Sequence, residues 1–171
     1  MTFKELINEA RKRILRKIIY EEVKKINPRK ILDNGSGLKG SFDYKEFREK
    51  VTKADILFGI DSQKLPYKNK SFDCVIFAGV IQYLNEPEKA IRECYRVLKK
   101  NGVLIITTIN KDSFIKRIKG LTNKEKRSFA LREFVSFIEK FKFKVVKKDF
   151  IDFWFIPKKY RLILYCMCKK I

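Results

Sequence analysis

The sequence predicts an α/β fold, a mostly parallel sheet with helices on both faces and an antiparallel edge at the C-terminal end. Short apolar runs at 30–33, 54–60, 72–77 and 103–109 alternate with segments of helical periodicity. The first run passes straight into a glycine-rich turn, Gly35-Ser36-Gly37-Leu38-Lys39-Gly40, which lets backbone turn sharply and approach a ligand. Two last apolar runs, 144–153 and 160–168, are joined around Pro157-Lys158-Lys159 and read as a terminal strand pair.

Taken in order, residues 3–26 form an amphipathic helix. Phe3, Ile7, Ala10, Ile14, Ile18 and Val23 recur at helical spacing between charged residues, and Asn27-Pro28 ends it. Lys30 to Asp33 is a short strand ending in an acid. Phe42 to Val51 is expected as a short, highly charged helix, and Ala54 to Ile60 as a second buried strand. Leu65 to Lys70 is a polar loop, and Phe72 to Phe77 is a third strand. Asn85-Glu86-Pro87 opens a helix running to about Lys100, with proline and acids suited to its first turn. Its apolar stripe is Ala90, Ile91, Cys94, Val97 and Leu98. Asn101-Gly102 stops it, and Val103 to Ile109 is a buried strand. Residues 111–128 lack periodicity and are expected as a lid or irregular helix. Leu131 to Phe141 is a further amphipathic helix.

The chain has 171 residues, the length of a single domain over 1–171. An N-terminal helix (1–28) precedes a binding core (30–110) and a basic C-terminal part (111–171). No run of 18 apolar residues is present and the N-terminus lacks a secretory pattern, so a cytoplasmic protein is expected. Four cysteines fit buried, reduced thiols. Cys166 and Cys168 would face one side of a strand, and without histidine they make a poor zinc site, so no metal is expected. The absence of histidine also excludes Ser-His-Asp and Cys-His nucleophiles. The net charge of +21 sits at the ends: 10 basic against 4 acidic residues over 1–30, 13 against 10 over 31–110, and 18 against 6 over 111–171. Such ends suit an anionic membrane surface, with the protein peripheral to it, or nucleic acid, or an ordinary solvated face.

Asp33 at the strand end can anchor a positive amino group or hold the glycine loop by bonding its amides. Gly35, Gly37 and Gly40 also satisfy the dinucleotide pattern G-x-G-x-x-G. A longer series separates these readings: Gly59-Ile60-Asp61-Ser62-Gln63-Lys64-Leu65-Pro66-Tyr67, Phe72-Asp73-Cys74-Val75-Ile76, Tyr83-Leu84-Asn85-Glu86-Pro87 and Tyr95-Arg96-Val97-Leu98-Lys99-Lys100-Asn101-Gly102. In order and spacing it resembles the class I S-adenosylmethionine-dependent methyltransferases, nearest the branch acting on small molecules, lipids and quinone precursors. The resemblance runs from about Lys30 to Asn110, and more faintly through Phe153.

The resemblance implies a Rossmann-like sheet and S-adenosylmethionine as cofactor. Asp33, Gly35, Ser36 and Gly37 would line its methionine end, and Asp61 with Ser62 its adenosine. Phe77, Ala78 and Gly79 would supply contacts below it. Gln82, Tyr83 and Asn110 would face the acceptor. Only about two dozen residues separate Gly37 from Asp61, so one strand-helix unit of the family is expected to be missing. Asp61 fits as the acid near adenine. The ribose acid is then absent or replaced, with Asp43 a distant candidate. Methyl transfer is an in-line displacement that depends chiefly on positioning. A general base, if the acceptor needs one, would be Tyr83, an Asp or Glu, or water; Tyr83 can equally be a packing aromatic. Phe153, Trp154, Phe155 and Tyr160 among Lys158, Lys159 and Arg161 mark the expected acceptor side, or an ordinary basic hairpin. A fold that keeps only a scaffold or nucleic-acid-binding role is the alternative to catalysis.

Overall fold

In a computed structural model, residues 3–113, 127–152 and 156–171 are described. They contain α1 (Phe3–Ile26), β1 (Ile31–Asn34), β2 (Val51–Ala54), β3 (Phe72–Ala78), α2 (Pro87–Val97), β4 (Leu98–Ile109), α3 (Leu131–Glu139), β5 (Phe143–Ile151) and β6 (Ile163–Lys170). The strands form one sheet in the order β2-β1-β3-β4-β6-β5. β2, β1, β3 and β4 run parallel; β6 pairs antiparallel with both β4 and β5.

Alternation along the central strands sends side chains to two cores. On one face, Ile31, Cys74, Ile76, Ile105 and Tyr165 pack under Ile19 and Val23 of α1. On the other, Leu32, Val75, Phe77, Leu104, Ile106, Cys166 and Cys168 pack under Ile91 and Cys94 of α2 and Phe134 and Ile138 of α3. Both faces are therefore covered, as a parallel sheet requires. All four cysteines are buried free thiols, and burial pushes the Cys94 and Cys166 thiols up to about 12.

Two segments depart from the sequence reading. Residues 42–50 form no α-helix, only turns and a 3-10 turn at Arg48–Lys50. The second strand is Val51–Ala54, not 54–60. Ile56–Phe58 is a 3-10 turn, with these three side chains 71%, 63% and 47% exposed. The apolar run looked like a core strand, but Asp55 ends the strand: its carboxylate accepts the Leu57 amide and Gly59, at φ +73°, turns the chain away. Helix α2 also stops earlier than expected, at Val97. Lys170 reaches from the end of β6 to cap it, donating to the Tyr95 and Leu98 carbonyls at 2.6 and 2.7 Å. The expected lid over 111–128 and the aromatics Phe153, Trp154 and Phe155 fall largely or wholly outside the described residues.

Candidate functional site

β1 has β2 on one side and β3 on the other, both parallel to it. The chain thus leaves β1 in one direction and later returns to its opposite flank. That switch point opens a crevice at the carboxyl ends of the strands, the usual ligand position in open α/β sheets. Here it is a cleft of about 850 Å³. Its walls come from the loop after β1 (Gly35 to Lys39), the loop after β2 (Asp55, Ile56, Leu57), the Ile60–Gln63 turn, and the segment after β3 (Gly79, Val80, Tyr83).

Gly35 lies at φ +82°, and a Cβ there would stand 2.0 Å from the Val80 side chain, so only glycine lets β1 and the post-β3 segment close. Gly37, at φ +56°, is different: a Cβ there would meet nothing within 4 Å, which leaves open space beside the cleft. The Gly37 amide donates to Asp55 Oδ2 at 2.8 Å, while Asp55 Oδ1 takes the Leu57 amide at 3.0 Å. One carboxylate therefore ties the two strand-end loops together and borders the cleft. Asp55 was not picked out from the sequence. The β-branched pair Val51-Thr52 just before Ala54-Asp55 is the signal that could have found it.

The other expected site residues divide. Gly35, Ser36, Gly37, Asp61, Ser62, Gly79 and Tyr83 all line the cleft. Asp61 is exposed and accepts the Gln63 amide at 2.8 Å. Ser62 is buried, its hydroxyl donating to Asn34 Oδ1 at 2.7 Å. Tyr83 is 45% exposed at the mouth. Phe77 and Ala78 lie below, on β3, Phe77 wholly in the core.

Asp33 does not reach the cleft. It is fully buried, with Oδ2 taking the Ser41 amide, Oδ1 the Ser41 hydroxyl, and Oδ2 also a short bond from the Tyr44 hydroxyl. Burial pushes its carboxyl up against the opposing pull of these donors. It anchors the glycine loop, the second of the two roles its position allows. Asn110 is likewise fully buried, donating to the Lys159 and Arg161 carbonyls at 3.0 and 2.8 Å; it fastens β4 to the turn before β6. Gln82 is buried and donates to the Gly79 carbonyl at 2.9 Å, which braces the segment carrying Tyr83. Asp43 is exposed, away from the cleft, and accepts the Lys45 amide at 3.0 Å. Among the described residues no group of acids and cysteines could hold a metal, and no helix is long and apolar enough to cross a membrane.

Three cations border the cleft, Lys12 and Arg16 of α1 and Lys39 of the glycine loop. On the far side the Leu65-Pro66-Tyr67 loop is locked by Arg96, which donates to the Leu65 and Tyr67 carbonyls at 2.9 and 2.6 Å and to Asn69 at 2.8 Å. Glu93 accepts from Nε and Nη2 along one edge of the Arg96 guanidinium, and from the Leu65 amide at 2.8 Å. The Arg96 guanidinium keeps the Glu93 carboxyl below its usual value. The spacing from Leu65 to Arg96 is thus a clamp that sets the turn carrying Asp61 and Ser62.

Residues 41–106 match the family described as Methyltransferase domain. The whole fold superposes on a SAM-dependent methyltransferase from Archaeoglobus fulgidus, with a TM-score of 0.68, 16% identity, and 99% of this chain and 100% of that one covered. Over residues 41–106 the chain is thus similar to a methyltransferase domain, and its fold is that of the SAM-dependent methyltransferases. Other similarities agree. A Burkholderia thailandensis 1,6-didemethyltoxoflavin-N1-methyltransferase, solved with its substrate and S-adenosylhomocysteine, gives a TM-score of 0.70 at 16% identity, covering 95% and 79% of the two chains. A demethylmenaquinone methyltransferase from Thermotoga maritima is 29% identical over 110 residues, 53% of this chain and 48% of that one. The chain spans less than half the length of the curated relatives it matches.

The segment between the glycine loop and Leu65 holds one strand and two 3-10 turns, with no α-helix. The literal G-x-G-x-x-G is therefore not followed by a helix whose N-terminus could hold a pyrophosphate, which removes the physical basis of the dinucleotide reading.

Proposed function

We propose that this domain binds S-adenosylmethionine in the switch-point cleft and transfers its methyl group to a small molecule with an apolar, lipid-like body. The observation that carries the reading is the cleft itself, whose two loops meet on the single carboxylate of Asp55. Its volume, about 850 Å³, lies within the range of cofactor pockets. Its surfaces are graded in the way a nucleoside joined to an amino acid needs. Asp55, with lone pairs left beyond its two amide bonds, suits ribose hydroxyls. Ile56 and Leu57 beside it offer an apolar shelf for a purine, with Asp61 and Ser62 at that end. Gly37 leaves room for backbone contact at the amino-acid end, where Lys12 and Arg16 suit a carboxylate.

The chemistry supplied by such a cofactor is an activated methyl on a sulfonium. What the chain's own residues contribute is position. Val80 against Gly35 fixes the post-β3 segment, Gln82 braces it, and Tyr83 stands at the mouth facing an incoming acceptor. Among the described residues of the cleft none is placed to serve as a strong base, which favours an acceptor atom that is nucleophilic without losing a proton first, or one deprotonated through water. Support for an acceptor with an apolar body comes from the similarity to the Thermotoga maritima protein, which is named for demethylmenaquinone.

Thermal unfolding tests the reading. S-adenosylhomocysteine at 100 times its dissociation constant should stabilise the fold by about 2.7 kcal/mol, a clear rise in Tm, and NADH should give none. A rise with NADH alone, or with neither ligand, contradicts it.

A further inference from the structure

A second cleft, of about 1070 Å³, lies beside the exposed edge of β2, between α1 and the segment from Lys39 to Arg48. Six cations surround it: Arg16, Lys17, Lys39, Lys45, Arg48 and Lys53. None of the six makes an ion pair among the described residues, although eleven ion pairs are formed elsewhere. The nearby acids are already engaged: Asp43 accepts the Lys45 amide, and Glu46 takes the Tyr20 hydroxyl at 2.6 Å and faces Lys24. Positive charge has thus been gathered in excess in a concavity, six cations against the single lining carboxylate of Asp43. Like charges repel, so this arrangement costs stability unless something negative joins it.

The cleft is also lined by the partly exposed rings of Tyr20 and Tyr44, with Phe42 buried behind them. Both tyrosine hydroxyls are tied, one to Glu46 and one to Asp33, so the rings are held rather than free. Tyr44 stands edge-on to Phe42, with centroids 4.8 Å apart, and Lys53 sits 5.0 Å over its ring. Cations that track phosphates beside fixed aromatic faces are the means by which proteins hold nucleotides without reading their sequence. A bilayer is a poorer match, because the cations ring a hollow while the exposed apolar side chains Leu38, Ile56 and Leu57 belong to the mouth of the other cleft.

We propose that this cleft is a second binding site, for the phosphate and base of a nucleotide, either free or as one unit of a single strand. It shares Arg16 and Lys39 with the switch-point cleft, so an anion there would lie against the wall of the methyl-donor site. The proposal does not depend on methyl transfer, and its readout is separate.

The probes are fluorescein-labelled single-stranded oligouridine of 12 residues and unlabelled ATP as competitor. Anisotropy is read at several salt concentrations. The test variant is Lys45→Glu with Arg48→Glu, two exposed positions that touch only this cleft. The control is Lys144→Glu with Lys169→Glu, also exposed, on β5 and β6. The same charge change is made in each, so general electrostatics cancels. The proposal expects the test pair to weaken binding at least about tenfold and to flatten the log–log salt dependence by about one unit, as lost phosphate contacts do on single strands. The control pair should weaken it less than about threefold. Displacement by ATP at its own low concentration assigns a free nucleotide; displacement only by unlabelled strand assigns a chain. Equal weakening by the two pairs overturns the proposal, as does absence of binding by both oligouridine and ATP. Unchanged Tm and unchanged S-adenosylhomocysteine binding in the test pair show that the fold and the first cleft are intact.

Discussion

The β3–α2–β4 half of the domain and the β1–β2 half solve the same task by different means. Both join parallel neighbours of one sheet. The first uses a seven-residue strand, an eleven-residue helix and a twelve-residue strand, held by Ala90, Ile91, Cys94 and Val97, all fully buried. The second uses four-residue strands with no α-helix between them. It is held by polar side chains instead: Asp33 on Ser41 and Tyr44, Asp55 on Gly37 and Leu57, Ser62 on Asn34. Stability is concentrated where apolar burial is regular, and the ligand-facing loops are shaped where directional bonds to backbone amides dominate. The half that makes the cleft adds these polar ties to the packing of Ile31, Phe42 and Phe47.

Substitutions that separate packing from loop anchoring break or sharpen this contrast. The largest effect on the fold is expected from Ile91→Ala in α2, which should cost about 2–5 kcal/mol in denaturant unfolding while leaving the affinity of the remaining folded protein for S-adenosylhomocysteine unchanged. Tyr44→Phe removes a donor from the buried Asp33 carboxylate. It should cost about 1–3 kcal/mol and, unlike Ile91→Ala, also weaken that affinity, because the glycine loop loses an anchor. If the two variants shift stability and binding in the same proportion, the division of labour is wrong.

A smaller effect distinguishes the clamp under the Leu65-Pro66-Tyr67 loop. Arg96 lowers the Glu93 carboxyl below the ordinary glutamate value of 4.5. The folded state then binds its proton less readily than the unfolded chain. The stability this pair contributes is present above about pH 4.5 and is lost as pH falls through the lower folded value. Glu93→Gln should therefore be less stable at neutral pH, and its stability should fall less steeply than that of the wild type below pH 4.5. Parallel pH curves would show that the clamp carries no linkage.

The same contrast explains what was legible in the sequence. α1, α2, α3 and the strands β3 to β6 follow from hydrophobic period, because their apolar residues face a continuous core. The glycine turn and the series through Arg96 pointed to the right end of the sheet. Residues 42–60 were misread for two reasons. Charge and length there imitate a helix, and Ile56-Leu57-Phe58 imitates a buried strand, whereas the structure turns these side chains outward at the cleft mouth. Periodicity cannot show which oxygens bond which amides, so Asp33 kept two possible roles and Asp55 was overlooked. The roles of Asn110 and Gln82 as fasteners were hidden likewise, since their partners at Lys159, Arg161 and Gly79 depend on tertiary contact.

The most direct measurement is isothermal titration of the intact chain with S-adenosylhomocysteine, beside Asp55→Ala. One site per chain with a dissociation constant in the range of about 1 μM to 1 mM is expected, weakened roughly 10- to 100-fold in the variant by loss of a charge-assisted contact worth about 1.5–3 kcal/mol. No heat at millimolar ligand, or equal affinity in the two proteins, would contradict the account.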